Sequence, residues 1–273
     1  MFSQLNKPLI MGILNVTPDS FSDGGKYTGI NQALKQAERM LAEGVDIIDI
    51  GGESTRPGSD SVSVTEQQQR VIPVITAIRQ QLKSAVLISI DTTSSTVAKA
   101  ALEAGANIIN DVSAGQNDAA MLALAAQTDV PIILMHSQGE PKTMQDKPYY
   151  EDVVREVIDA LKDRIDTALR SGIKKENIAI DPGIGFGKRK QDNLDLLAHL
   201  DTLVALGFPV LLGTSRKRFM GTICAVTEPS ELVTATAVTT ALGVMAGVQL
   251  FRVHDVKENR QAADVAWAIR QSR

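Results

Sequence analysis

Residues 86–111 read VLISIDTTSSTVAKAALEAGANIIND. The first five are rich in Ile, Val and Leu and lack the polar alternation of a strand that shows one face to water. Such a run suits a strand covered on both faces. It ends on Asp91 and is followed by Thr92, Thr93, Ser94 and Ser95, hydroxyls that can cap a helix and leave Asp91 free for other work. Residues 96–104 carry apolar side chains three or four apart, and Gly105 supplies the left-handed residue that ends a helix cheaply. A second apolar run at 107–110 ends on Asn110, beside Asp111. One strand-helix unit has been completed and the next begun.

The same unit recurs along the chain. Apolar runs lie at 9–15, 45–50, 86–90, 107–110, 131–136, 178–181, 209–212 and 248–253. Helical periodicity lies between and after them, at 32–42, 66–82, 96–104, 119–126, 152–171, 194–206, 231–246 and 257–270. Gly44, Gly172, Gly207 and Gly247 repeat the role of Gly105 at other helix-to-strand turns. Eight units without a linker or low-complexity segment predict an α/β fold, a single (β/α)8 TIM barrel filling residues 1–273 as one domain. A doubly wound open sheet is the runner-up; eight regular units with none left over favour closure.

Composition narrows the class of function. The 273 residues carry 28 Lys plus Arg against 32 Asp plus Glu, a formal charge of −4, and 44% are hydrophobic. Sequence-independent nucleic-acid binding wants a basic surface field, so no nucleic-acid partner is expected. The single cysteine, Cys224, excludes an internal disulfide framework and suits a reducing compartment, hence the cytoplasm. The stretch 8–16 lacks a following small-residue cleavage site, so no signal peptide is expected. The uncharged stretch 232–251 has membrane length, but its threonines and Gly243 and Gly247 predict a buried helix followed by a strand. No membrane partner is expected.

In such a barrel the active site lies at the carboxyl ends of the strands. Those ends read Asn15, Asp49 with Glu53, Asp91, Asn110 with Asp111, His136, Asp181, Ser215 with Lys217, and Arg252 with His254. Some of these acids can instead cap helices or brace loops, Asp49 and Asp111 as readily as not. His199, among leucines within a helix, and Cys224, with no activating neighbour, are left out. The loops 15–25 and 51–58 are long, polar and glycine-containing, suited to close over a substrate. The sixth loop, 181–188, admits close backbone approach to a flat ligand, with Phe186 able to stack. No phosphate-binding glycine loop, dinucleotide fingerprint, zinc-hydrolase spacing or serine nucleophile elbow occurs. Asp91, Asn110 and Asp181 suit a heterocycle rich in N–H donors and ring acceptors. Arg252, His254 and Thr55 suit a phosphate or diphosphate, and Asn15 offers oxygen to a hard cation.

Five segments carry a resemblance: GILNVTPDSFSDGG at 12–25, DIGGESTRPG at 49–58, DPGIGFGK at 181–188, GTSRK at 213–217 and RVHDV at 252–256. In this order they are similar to the dihydropteroate synthase family of pterin-binding barrels. The resemblance covers nearly the whole chain, with Ile184 and Ser137 as small departures at apolar-wall or loop positions. It implies condensation of (7,8-dihydropterin-6-yl)methyl diphosphate with 4-aminobenzoate in folate synthesis. Asp91, Asn110, Asp181 and Lys217 would then hold the pterin, with Asp91, Asp181 and Lys217 catalytic. Thr55, Arg252 and His254 would hold the diphosphate, and Asn15 the cofactor Mg2+. Phe21, Arg56, Pro57, Phe186 and Ser215, with Lys217, would surround 4-aminobenzoate. Sulfonamides, which mimic that substrate, are expected inhibitors. A homodimer is implied too, with the helix at 232–246 either its buried face or packed on the barrel.

Two rivals remain at this level. A methyltetrahydrofolate-type pterin methyltransferase uses similar Asp and Asn contacts but needs neither the Thr55-Arg56-Pro57 nor the Ser215-Arg216-Lys217 element. A pterin-binding protein without turnover would have less reason to keep every ligand group.

Overall fold

The computed structural model describes residues 5, 7–16, 26–53, 62–82, 85–139 and 142–273. Its strands are β1 (Leu9–Asn15), β2 (Ile47–Gly51), β3 (Leu87–Asp91), β4 (Ile108–Asp111), β5 (Ile132–Met135), β6 (Ile178–Asp181), β7 (Leu211–Leu212) and β8 (Leu250–Val253). They pair in the order β6-β5-β4-β3-β2-β1-β8-β7, each neighbour parallel. A parallel bridge between Ile180 and Val210, with the Ile180 amide donating to the Pro209 carbonyl at 2.9 Å, joins the two ends. The sheet is therefore the expected (β/α)8 barrel and not an open doubly wound sheet, and closure removes exposed strand edges.

Helices α1 (Lys26–Ala42), α2 (Val64–Gln81), α3 (Ser95–Glu103), α4 (Ala120–Thr128), α5 (Val153–Arg170), α6 (Lys190–Ala198), α7 (Leu200–Val204), α8 (Arg218–Cys224), α9 (Val233–Ala246) and α10 (Val256–Gln271) follow the strands. Ser63, Ser94 and Asp152 accept backbone N–H bonds as the N-caps of α2, α3 and α5. With Ser94 in that role, Asp91 is spared, as its hydroxyl neighbours imply.

Two helical features depart from expectation. The segment expected as one helix at 194–206 starts at Lys190 and breaks at His199. There the His199 ring Nδ1 lies 2.8 Å from the Asp195 carbonyl, the acceptor a continuing helix would give its backbone amide, which turns to Leu196 instead. Seven-residue α8 is too short to show periodicity, and Ala225 ends it in the left-handed region at φ +54°. The stretch 232–251 is helix α9 followed by β8, and among the described residues no helix is long and apolar enough to cross a membrane.

Strand alternation sorts the side chains into two cores. Ile48, Ile50, Ile88, Ile90, Ile109, Ile132, Ile178, Ile180 and Phe251 pack outward under the helices. Met11, Ile47, Ile108, Ile133, Ala179, Leu211 and Leu250 fill the barrel interior. Two residues further along the same inward faces stand Asp49, Asn110, Asp181, Gly213 and Arg252, and Asp91 shares Leu87's face. The interior is thus apolar below and polar above.

At the opposite, amino-terminal end two arginines staple the barrel. Arg79 donates to the carbonyls of Gly105 and Val86 and to Asn107 Oδ1, and Arg260 donates to Asp46 and the Pro8 carbonyl. Above, α9 lies so close to β8 that a Cβ on Gly243 would meet Phe251 at 2.7 Å. Gly243→Ala should push α9 off the strand and lower stability by about 1–3 kcal/mol, read as a fall in melting temperature.

Candidate active site

Register places the polar groups at one level: Asn15 pairs with Gly51, Gly51 with Asp91, and Asp91 with Asn110. From below and across the barrel, Arg252 reaches into this layer. Its Nε donates to Asp49 Oδ2 at 2.6 Å and its Nη2 to Asp91 Oδ2 at 2.6 Å, while Asn110 Nδ2 donates to Asp49 Oδ2 at 3.3 Å. Burial works against the guanidinium's charge, but the two carboxylates more than offset it and raise its pKa. Burial pushes Asp91 up to about 7, with Arg252 pulling the other way.

Asp49, the third residue of β2, can by sequence either brace a loop or serve the site; the structure makes it a full member of the cluster. Asp111 resolves the other way. It faces outward and accepts from Ser113 N, Ser113 Oγ and Gly115 N at 2.7–2.8 Å, bracing its own loop. Strand parity was the signal that separates the two acids, once the register is known.

Among the described residues, the buried Oδ1 atoms of Asp49 and Asp91 and the Oγ of Ser89 have no hydrogen-bond partner. Buried polar atoms are rarely left so, and these sit on the inward faces that line the polar end of the barrel. The floor beside them is bare: a Cβ on Gly51 would lie 3.6 Å from Asp91 Oδ2 and 3.7 Å from Asn15 Oδ1. A flat ligand with N–H donors fits this arrangement.

A second wall comes from the loops after β6 and β7. Buried Asp181 accepts from the Gly183 amide at 2.6 Å. Its own burial raises its pKa, against the pull of that bond and of Lys217, Lys188 and Arg252. Lys217 donates to the Ile184 carbonyl at 2.8 Å and stands 4.2 Å from the centre of the Phe186 ring. Burial lowers Lys217 to about 8, with Asp181 opposing. Gly183 has φ +66° and no room for a side chain, since a Cβ would sit 1.8 Å from the His136 carbonyl oxygen.

Loop β7 is held from behind. Ser215 Oγ is 2.9 Å from His254 Nδ1 and accepts from the His254 amide at 3.1 Å. Between Ser215 and Lys217, Arg216 takes φ +58°, turns away from the site and pairs through Nε and Nη2 with Asp255 at 3.0 and 2.5 Å. Its contribution was not visible in the motif.

Of the residues expected in the site, the structure brings together Asp91, Asn110 and Arg252, and separately Asp181, Lys217 and Phe186, with Ser215 on His254. Asn15 stands exposed at the mouth. Phe21, Thr55, Arg56 and Pro57 lie outside the described residues, as do most of the two long loops.

The sequence model of the pterin binding enzyme family matches residues 11–254, so the chain belongs to that family. Within it, the chain is 51% identical over 257 residues to a dihydropteroate synthase of Streptococcus pyogenes, covering 94% of this chain and 93% of that relative. Solved structures agree. A Clostridium difficile dihydropteroate synthase crystallised in the presence of pteroic acid superposes with a TM-score of 0.91 at 43% identity, covering 98% of this chain and 99% of the other. The Xanthomonas albilineans dihydropteroate synthase with 4-aminobenzoic acid gives 0.90 at 45%, covering 97% and 94%.

The network predicts its own failure. Arg252→Met leaves Asp49 and Asp91 buried without their cation and should cost about 3–5 kcal/mol at neutral pH. Carboxyl groups whose folded pKa rises bind more protons folded than unfolded, so stability falls as pH increases. The variant's deficit in denaturant melts should therefore be smaller at pH 5.5 than at pH 8.

Proposed function

We infer that this chain is a dihydropteroate synthase, joining (7,8-dihydropterin-6-yl)methyl diphosphate to 4-aminobenzoate and releasing diphosphate. The observation that carries the reading is the buried cluster of Asp49, Asp91 and Asn110 around Arg252, at the polar end of a barrel whose relatives are dihydropteroate synthases. The carboxyl and amide groups of Asp91, Asn110 and Asp181 are the ones we assign to the N–H edge of a pterin.

Breaking the carbon–oxygen bond leaves positive charge on the pterin methylene and added negative charge on diphosphate. Asp91 and Asp181 face the developing cation, and Lys217 orients the ring beside Phe186. Arg252 keeps Nη1 outside its two carboxylate pairs, and His254 stands with Ser215 one loop away; with Thr55 they are the groups we assign to the leaving diphosphate. Phe21, Arg56, Pro57, Phe186 and Ser215 are assigned to 4-aminobenzoate. Cys224 is exposed on α8, and the Ser215 hydroxyl is engaged with both His254 Nδ1 and the His254 amide; we assign a dissociative substitution with no covalent intermediate. The amine of 4-aminobenzoate is free at neutral pH and attacks without a strong general base.

Mg2+ fits as a companion of the diphosphate and not as a caged ion. Asn15 offers one exposed oxygen at the mouth, and among the described residues no group of three or more His, Cys, Asp or Glu side chains is arranged to hold a metal. When bound there it would offset the charge left on diphosphate. We place the work in the cytoplasm, where the exposed thiol of Cys224 stays reduced. The barrel is proposed to act as one domain.

Mixing the two substrates with Mg2+ should release diphosphate and yield dihydropteroate; no product with pure protein would overturn the reading, and methyl transfer from a methylated pterin would favour the methyltransferase. Lys217→Ala should lose about a hundredfold or more in kcat/KM with little change in melting temperature. In the wild type the rate should fall as pH rises through about 8, where Lys217 loses its charge. Lys217→Arg should remove that limb.

A homodimer is proposed through α9 and α10. Val238 and Leu242 of α9 are 52% and 61% exposed, and Val265 and Ile269 of α10 are 62% and 53% exposed. That apolar face wants cover. Sedimentation should give twice the chain mass, and Leu242→Glu with Val265→Glu should give the monomer.

A further inference from the structure

Two strand-end residues have no part in the chemistry above. His136 follows β5, and Lys188 closes the glycine-rich loop after β6. They are joined: Lys188 Nζ lies 2.9 Å from His136 Nδ1 and donates to the Phe186 carbonyl at 3.1 Å. Lys188 is only 2% exposed, and among the described residues no carboxylate lies within ion-pair distance of it. A lysine buried without a direct counter-ion is strongly unfavourable, and a methionine would fill the same space without that cost. Packing alone does not account for it.

The groups around Lys188 are few. Asp181 of β6 and Asp192 of α6 attract its charge, Lys217 of the β7 loop repels it, and the Tyr150 ring lies 6.0 Å away. Burial lowers its pKa to about 7. The His136 ring is pushed down to about 3 by burial and by Lys188, so it is neutral and accepts at Nδ1. Its proton therefore sits on Nε2.

What the pair holds is the seat of Lys217. Gly183 N–H binds Asp181, the Ile184 carbonyl accepts Lys217, Gly185 N–H binds Asn193 Oδ1, and the Phe186 ring lies beneath the Lys217 ammonium. Lys188 anchors the far end of that loop through the Phe186 carbonyl. Tyr150 adds its hydroxyl to the next carbonyl, that of Gly187, at 2.9 Å.

We propose that Lys188 and His136 are a positioning pair: Lys188, accepted by His136 Nδ1, fixes the 183–188 loop that seats Lys217 and holds positive charge behind Asp181. Neither touches substrate. The inference rests on the pterin roles of Asp181 and Lys217 given above.

Lys188→Met removes both the anchor and the charge. Asp181 then loses an attractive partner and its pKa rises, so the acid limb of kcat/KM should move up by about half a pH unit or more. The kcat should fall about tenfold or more, with a smaller change in KM. Lys188→Arg keeps the charge but not the fit, and should leave the acid limb in place while lowering kcat. At His136, Asn retains an acceptor near Nδ1 and should keep most activity, whereas Phe should behave like the Met variant. Nitrogen-labelled histidine spectra should show the Nε2–H tautomer in the wild type and its loss of specificity in Lys188→Met.

Turnover by the wild type in the same assay separates failure of the activity from failure of this inference. An unmoved acid limb and unchanged kcat in Lys188→Met would overturn the pair. So would activity that falls only in step with melting temperature, or His136→Asn no better than His136→Phe at equal folded fraction. Should Lys188→Met not fold, the two His136 variants and the tautomer spectrum decide.

Discussion

One guanidinium ties the polar end of this barrel together. Arg252 leaves β8, which neighbours β1, and spans to Asp49 on β2 and Asp91 on β3. Two acids so buried repel each other and lose hydration; a planar cation that donates to both through different nitrogens makes their charges tolerable. The arrangement compensates the acids without exhausting them. Each keeps one buried oxygen without a partner among the described residues.

The rest of the site is arranged around that centre by loops whose backs are tied to the scaffold. Arg216, held at φ +58°, turns its side chain to Asp255 so that its neighbours Ser215 and Lys217 can serve the site. Asp255 is also the N-cap of α10. The β6 loop works similarly: Gly183 passes against the His136 carbonyl, and the loop's own carbonyls receive Lys217 and Lys188. Both lysines are lowered by burial toward neutral pH. The apolar plug of Met11, Ile47, Ile108, Ile133, Ala179, Leu211 and Leu250 below, and the arginine staples at the other end, supply the stability that these buried charges take away.

Much of this was legible one residue at a time. The runs of Ile, Val and Leu located all eight strands, because strands covered on both faces leave no ambiguity of pattern. The hydroxyls of 92–95 freed Asp91 from capping, and Ser94 does cap α3. Where legibility failed, the reason was long-range or too short-range. Asp49 and Asp111 are the same residue type near strand ends, yet Asp49, on the inward parity of β2, faces Arg252, and Asp111, on the outward parity of β4, faces its own loop. Helix α8 is shorter than the period needed to detect it, and the break at His199 comes from a ring nitrogen competing for a backbone acceptor.

Local pattern alone yields eight strand-helix units and the polar residues near their strand ends, because periodicity and chain position are local properties. The sequence also determined the family, through five segments in order. Which acids share a cation, that Lys188 meets His136 across 52 positions of chain, and that Arg216 points away from the site emerge in the folded arrangement alone. Those outcomes depend on which strands lie side by side, β8 beside β1 and β6 beside β5, and no local pattern encodes the distances that this pairing sets.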